Sequence, residues 1–276
     1  MGVETVSGLC LIGFMSRERA VKHLVAETVT NPCLTEEQAE SIWARYRSAV
    51  EALPERPRGL IPELPLSPTE AEVAKRFRRR HRGDTNALRI IKVDPMDLVV
   101  HQLVLVSEVS DNYQVLARGR KWAEACLFQQ RKSRVVSRSE PDGMYLDLPH
   151  GEFVIAMKSD LTLAIQECAR YVGVVEFHNR LLLAGGHHRC YVHARRSQSS
   201  AANRSRGMLV VLTSTRPPQL QGGRADVREL VSGARPPLLR DFLDERLALP
   251  IQLRKKRFEV RVQYRMVDVT STEFSV

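Results

Sequence analysis

The chain has 276 residues, of which 43% are hydrophobic and 27% are charged. This composition is typical of a globular protein, and the length allows one large domain or two small ones. The formal net charge of +10 at pH 7 favours polyanionic partners such as nucleic acid or nucleotides, with a solubilising surface charge as the alternative.

Aromatic residues make up only 6% of the chain, so stacking on bases is not expected to be the main mode of binding. No apolar run approaches the roughly 18 residues that a membrane-spanning helix needs. We therefore expect no membrane association and a cytoplasmic location. Five cysteines without a CxxC pair predict reduced thiols rather than a zinc site.

Residues 1–53 are expected to form a helical N-terminal region. Thr35 and Gln38 make a capping-box pattern, and apolar residues at helical spacing follow as far as Val50. Residues 54–85 are expected to be a proline-rich linker or extended arm followed by a short basic helix, because five prolines in its first fifteen residues disrupt regular structure.

Two basic runs are candidate contacts for the phosphates of nucleic acid. The first lies on the basic helix, and the second precedes a strand near the C-terminus. A solvated helix face and a strand edge guarded by cations are the respective alternatives. The candidate contact residues are Arg76, Arg78, Arg79, Arg80, Arg254, Lys255, Lys256 and Arg257.

Residues 86–213 are expected to form the main domain. Apolar runs predict strands at 88–93, 151–156, 173–177, 181–184 and 208–213. Helical spacing predicts helices at 122–130 and, after a cap at Asp160, at 161–172. The apolar run 96–106 fits either a strand or a buried helix.

The last region, 214–276, contains many Pro, Gly and Arg residues in its first part. We expect a loop at 214–237, a short helix at 236–244 and a strand at 258–265. No internal repeat is visible along the chain.

The strongest local signal is a strand that runs into Gly185 and Gly186 and then into a segment of helical composition. Glycine allows a tight turn and leaves no side chain between the amides and a ligand. A helix start adds N–H groups and the positive end of the helix dipole. His187, His188 and Arg189 add hydrogen-bond donors. The pattern predicts a phosphate-binding turn, with a purely structural turn as the alternative.

The His and Cys residues of this segment also raise the question of a metal site. Cys190 and His193 could share one helix face, whereas His188 and His193, five positions apart, could not. No second cluster of ligands is visible in the sequence, so we expect no metal. Walker A, G-x-G-x-x-G and G-x-S-x-G patterns are also missing from the sequence.

The Gly-Gly-His-His-Arg turn resembles the signature loop of the ParB/sulfiredoxin superfamily, in which a strand leads into a G-x-H-R type of turn and then a helix. The run from Ile91 to Leu98, with Asp94 and Pro95 at its centre, resembles the I-x-x-D-P-x-x-L opening of ParB-like domains. The resemblance covers residues 86–213. It implies an α/β (α+β) fold, with a core made of a small mixed sheet and helices behind the helical N-terminal extension.

In that superfamily the loop binds nucleotide phosphates. The resemblance therefore implies CTP or ATP with Mg as ligand, and DNA as a further partner, in a bacterial cytoplasm. His187 stands where sulfiredoxin carries its cysteine, which argues against a sulfinic-acid reductase. One alternative is a small-molecule kinase or nuclease that uses the same loop with Glu167 or Asp94 as base. The other alternative is an interaction module with a degenerate loop.

Overall fold

The computed structural model describes residues 5–29, 33–80, 88–106, 120–127, 136–140, 143–148, 153–157, 163–167, 171–199, 207–213, 224–254 and 258–262. Helices and sheets are mixed, so the α/β fold class predicted from the sequence is confirmed. The chain divides into two compact units. The larger unit comprises Met1–Gln130 and Ala169–Lys255, and the smaller comprises Arg131–Cys168 and Lys256–Val276.

All six described α-helices lie in the larger unit. They are α1 (Arg17–Ala26), α2 (Glu36–Glu51), α3 (Pro68–Arg80), α4 (Arg120–Leu127), α5 (His187–Ser199) and α6 (Arg224–Ser232). The predicted capping box of α2 is present: Gln38 N donates to Thr35 Oγ1 at 3.2 Å, and Thr35 N donates to Gln38 Oε1 at 3.0 Å. These bonds satisfy main-chain donors that the first helical turn leaves without intrahelical partners.

Thirteen strands are described. They are β1 (Thr5–Cys10), β2 (Leu88–Val93), β3 (Val99–Val100), β4 (Val104–Val106), β5 (Val136–Glu140), β6 (Gly143–Leu148), β7 (Phe153–Met157), β8 (Leu163–Glu167), β9 (Gly173–Phe177), β10 (Arg180–Gly185), β11 (Met208–Thr213), β12 (Leu249–Arg254) and β13 (Phe258–Val262). The described part of the smaller unit comprises the antiparallel sheet β13-β6-β5 and the antiparallel pair β7-β8.

The larger unit is built around a mixed five-stranded sheet with the order β2-β11-β9-β10-β3. β11 runs antiparallel to β2 and parallel to β9, and β10 runs antiparallel to β9 and parallel to β3. Residues 208–211 of β11 are all buried, which explains why the strand is a continuous apolar run rather than an alternating one. A second, antiparallel sheet has the order β12-β1-β4.

The hydrophobic core of the larger unit lies between the five-stranded sheet and the helices. α3 contributes Val73, Ala74 and Phe77, all nearly inaccessible to solvent. The edge of the Phe77 ring meets the Tyr171 ring at a centroid distance of 5.8 Å, a geometry that aromatic pairs favour. One face of α3 is therefore fixed against the core.

The structure corrects three of the expected elements. Residues 5–10 were expected to be helical but form β1, whose partners β4 and β12 lie about 95 and 245 positions along the chain. The predicted helix at 161–172 is not helical where it is described. Residues 163–167 form β8, because this short apolar run pairs with β7, and residues 171–172 have no regular structure. The predicted loop at 214–237 contains α6, since no Gly or Pro interrupts residues 224–232.

Other expected elements agree more closely with the structure. The strands expected at 88–93, 173–177 and 208–213 are confirmed, and the helix expected at 122–130 is α4 over its described part. The run 96–106 contains the short strands β3 and β4. In place of the short helix expected at 236–244 there is a 3-10 helix, Leu239–Leu243.

The proline-rich segment 54–67 has no helix or strand, yet it is held firmly in the larger unit. The guanidinium of Arg56 donates to both oxygens of the buried Asp241 carboxylate, at 2.7 and 2.8 Å. Arg180 is 4% exposed and donates at 3.0, 2.6 and 2.8 Å to the main-chain oxygens of Arg56, Val231 and Gly233. A cation at the end of α6 also complements the helix dipole.

Candidate functional site

The predicted strand, glycine turn and helix start are present. β10 ends at Gly185, Gly186 has a φ of +90°, and α5 begins at His187. The first helical hydrogen bond of α5 runs from Cys190 N to the Gly186 oxygen, at 3.0 Å. The main-chain N–H groups of residues 187–189 therefore lie in the first turn, where the positive end of the helix dipole is concentrated.

Gly186 is required by the conformation and packing of the turn itself. A Cβ atom at this position would lie 2.9 Å from Val172 Cγ2 and 3.2 Å from Val172 Cα. A φ of +90° is also a conformation that side-chain-bearing residues rarely adopt. A Cβ at Gly185, by contrast, would have its nearest neighbour at 4.0 Å. The second glycine therefore has a structural role whether or not a ligand binds.

His187 lies buried against His101. His187 is 4% exposed, and the two ring centroids are 4.9 Å apart with an angle of 80° between the rings. His101 directly follows β3, which is parallel to β10, so both histidines lie at the carboxyl ends of neighbouring parallel strands. Among the described residues, His187 Nε2 and His101 Nδ1 have no hydrogen-bond partner.

Burial keeps these two imidazoles neutral. It lowers the pKa of His187 well below the usual value, and the nearby rings of His101 and His188 lower it further. Burial also lowers the pKa of His101, although a hydrogen bond with the main chain of Leu183 opposes that shift. Protonation of either ring would place a charge in a poorly solvated position.

His188 and Arg189 are both engaged with other parts of the larger unit. His188 Nε2 accepts a hydrogen bond from Val106 N at 3.1 Å. Arg189 is 2% exposed, and its Nη1 donates to the main-chain oxygen of Cys126 at 3.4 Å. Both side chains therefore link α5 to neighbouring elements instead of extending into solvent.

The thiols near Arg189 are buried as well. Burial raises the pKa of Cys190 to about 12 and also raises that of Cys126. Such thiols stay protonated and unreactive near neutral pH. Within the described ranges, no group of three or more His, Cys, Asp or Glu side chains is arranged to hold a metal ion.

Of the two carboxylates named as candidate bases, one has a structural partner. Asp94 Oδ1 accepts from Met96 N at 3.0 Å and so caps the 3-10 helix Pro95–Asp97. The side chain of Glu167 lies outside the described part of the structure, although its main chain belongs to β8.

The first basic run forms an exposed surface on α3, which we call the basic face and define as Lys75, Arg78 and Arg79. These residues lie at positions i, i+3 and i+4, so they share one side of the helix, and all three are exposed. Arg80 is also exposed at the end of α3, where cations complement the helix dipole. Arg76 Nη2 lies 2.6 Å from Glu124 Oε1 on α4.

The second basic run cannot be placed in the same way. Arg254 ends β12, and its side chain is not among those described. Lys255, Lys256 and Arg257 lie outside the described residues.

The sequence did not reveal the structural roles of Arg56 and Arg180, nor a pocket near α1 that includes Arg19. No local pattern reveals the roles of Arg56 and Arg180, because their partners are 51 to 185 positions away. The proline-rich composition of 54–68 indicated an irregular segment but not the partly buried Arg56 that anchors it to Asp241.

No protein-family model matches the chain, and neither a curated protein nor a solved structure shows significant similarity to it. None of the helices described here combines the length and apolar character that crossing a bilayer would require.

Proposed function

We propose that the protein binds a phosphate-rich polyanion, with nucleic acid as the principal candidate, through the basic face of α3. The observation that carries the proposal is the exposed group Lys75, Arg78 and Arg79 on one side of a helix. In the described portion of the chain, none of the three has a carboxylate at ion-pair distance. The net charge of +10 supports attraction over longer distances.

Cations without partners are the ones best able to bind phosphate. Arg76 would have to give up its contact with Glu124, whereas the three residues of the basic face would exchange only water and counterions. The buried side of α3 is packed into the core, so the backbone positions from which the three charged side chains extend are fixed before binding. Pre-organisation of this kind reduces the entropy cost of association.

The proposal is tested by fluorescence anisotropy with a labelled DNA duplex at low salt. Replacing Lys75, Arg78 and Arg79 together by alanine should weaken binding at least about tenfold, since charge-assisted contacts contribute roughly 1.5–3 kcal/mol each in favourable cases. The matched control replaces Arg17, Arg47 and Arg246, which are paired with Glu40, Glu51 and Asp244. It removes the same number of positive charges from other surfaces.

Equal losses of affinity in the two triple variants would show that DNA binding depends on net charge alone. The basic face would then not be the binding surface. Absence of binding by the unmodified protein at low salt would reject the function itself. Circular dichroism and a melting curve confirm that each variant is folded before its affinity is compared.

A second candidate function is nucleotide binding at the Gly-Gly-His-His-Arg turn, with CTP or ATP and Mg as ligand. It is favoured by the place of the turn, since α5 begins beside the carboxyl ends of the parallel strands β3 and β10. Ligands of α/β sheets commonly bind at such ends. In this proposal main-chain N–H groups hold the phosphate, and His187, His188 and Arg189 support the turn from inside.

This second proposal includes a relationship to the ParB/sulfiredoxin superfamily, which rests on the turn and on Asp94-Pro95. A thermal-shift screen with CTP, ATP and duplex DNA, followed by calorimetry, separates the candidates. Nucleotide binding without turnover supports a binding protein, whereas hydrolysis or transfer supports a kinase or nuclease. Failure of every nucleotide to bind would leave the turn structural. The free thiols of Cys10, Cys33, Cys126 and Cys190 support the further proposal of a cytoplasmic location.

A further inference from the structure

The larger unit has a pocket of about 350 Å³, which is at the small end of the range for ligand-binding cavities. None of its lining residues belongs to α3 or to the Gly-Gly-His-His-Arg turn. Its apolar lining comes from sequence-distant segments: Phe14, Met15, Val50, Leu103 and Leu230. The first four of these are buried parts of the core, so the floor of the pocket is rigid.

Charged residues surround this floor, and they carry one excess positive charge. The cations are Arg19, Arg47 and Arg235, and the anions are Glu51 and Glu229. Arg47 Nε lies 2.8 Å from Glu51 Oε1, so the charges of these two residues compensate each other. Arg235 Nε donates to the Leu53 oxygen at 2.6 Å.

Arg19 differs from the other two arginines. It is exposed, and no ion pair to a carboxylate is found for it among the residues whose positions are described. It lies in the first turn of α1, whose N-cap Ser16 also lines the pocket. The positive end of the α1 dipole therefore adds to the charge of Arg19.

We propose that this pocket binds a small amphipathic organic anion. The apolar body of the ligand packs on Phe14, Met15 and the neighbouring aliphatic side chains, and its anionic head is held by the guanidinium of Arg19. Apolar surface with a few well-placed polar groups is the usual composition of a small-molecule site. Arginine suits the head group because it can donate two parallel hydrogen bonds to a carboxylate or phosphate.

The test is calorimetric titration of the full chain with three probes. Octanoate has both an apolar chain and an anionic head group. Octanol lacks the charge, and acetate lacks the long apolar chain. Octanoate should bind saturably, and each of the other two should bind at least about tenfold more weakly. Arg19→Ala should weaken octanoate at least about tenfold while leaving octanol unchanged.

Two further variants make the test specific. Arg17→Ala is the matched control, since Arg17 is on the same helix but is paired with Glu40 at 2.7 Å and does not line the pocket; octanoate should bind it normally. Ala234→Trp should abolish binding by filling the pocket, because Ala234 is an exposed lining residue. Melting curves check that both variants are folded.

The proposal is overturned if octanoate does not bind at millimolar concentration, or if octanol binds as tightly as octanoate. It is also overturned if Arg19→Ala and Arg17→Ala have equal effects, or if a folded Ala234→Trp protein binds octanoate unchanged. Should Ala234→Trp fail to fold, the comparison of the two arginine variants decides alone, because both side chains are exposed.

Discussion

Replacing His187 by phenylalanine is expected to remove part of the acid sensitivity of the fold. The imidazole is 4% exposed and packs edge-on against His101. Burial, followed by the charges of His101 and His188 on protonation, lowers the pKa of His187 well below the usual value. Phenylalanine retains an aromatic ring of similar size but cannot take up a proton.

The direction of the effect follows from proton binding. In the unfolded chain a histidine takes up its proton near pH 6.5, whereas the folded protein resists it to much lower pH, so the unfolded state binds more protons in between. Stability is therefore complete above about pH 6.5 and falls as the pH drops towards the folded pKa. As long as the pH stays above the folded pKa, each pH unit below 6.5 costs at most about 1.4 kcal/mol per histidine.

The assay is guanidinium denaturation at pH 7.5, 6.5, 5.8 and 5.0 for the unmodified protein and for His187→Phe. Below pH 6.5 the free energy of unfolding of the unmodified protein should fall more steeply than that of the variant, by up to about 1.4 kcal/mol per pH unit. Ile91→Val is the control: it removes one methylene from the buried strand β2 and should cost about 0.5–1.5 kcal/mol at every pH. Identical pH dependence for the unmodified protein and His187→Phe would refute the reasoning.

Two other substitutions test the structural account. Gly186→Ala should cost roughly 1–3 kcal/mol of stability, since φ is +90° and the new Cβ would lie 2.9 Å from Val172 Cγ2; denaturant midpoints measure the loss. Arg56→Ala should cost about 3–5 kcal/mol, because it leaves the carboxylate of Asp241, which is 2% exposed, buried without its cation; thermal or denaturant unfolding measures this loss.

Each of these has a matched control. Gly185→Ala should be nearly neutral, because the nearest atom to its Cβ would be 4.0 Å away, and equal effects at the two glycines would contradict the packing argument. Arg246→Ala breaks an exposed ion pair with Asp244 and should have no measurable effect. If Arg56→Ala is equally harmless, the proline-rich segment is not anchored as the hydrogen bonds indicate.

Local patterns predicted the elements that are specified locally. The capping residues Thr35 and Gln38 lie three positions apart, and the two glycines between β10 and α5 are adjacent, so both features could be read from short windows. The continuous apolar run at residues 208–213 also predicted the buried strand β11.

The predictions that were missed or wrong concern residues whose partners are distant in the chain. β1 is a strand because β4 and β12 flank it, and no window around Thr5–Cys10 contains either. The contact of Arg189 could not be predicted from the sequence for the same reason, since the main-chain oxygen that it reaches belongs to Cys126, 63 positions earlier. The ligand contact expected for its side chain stays a prediction. A pattern can show that a turn has arginine, but not which side of the helix is covered by the rest of the fold.

The salt dependence of DNA affinity tests the central claim most directly. Each phosphate contact contributes about 0.9 to the slope of log affinity against log salt concentration. Replacing Lys75, Arg78 and Arg79 by alanine should therefore reduce the magnitude of that slope by about 2 to 3, while the control at Arg17, Arg47 and Arg246 should leave it nearly unchanged. A slope that is the same in the unmodified protein and the Lys75/Arg78/Arg79 variant would contradict the assignment of the basic face of α3 as the polyanion-binding surface.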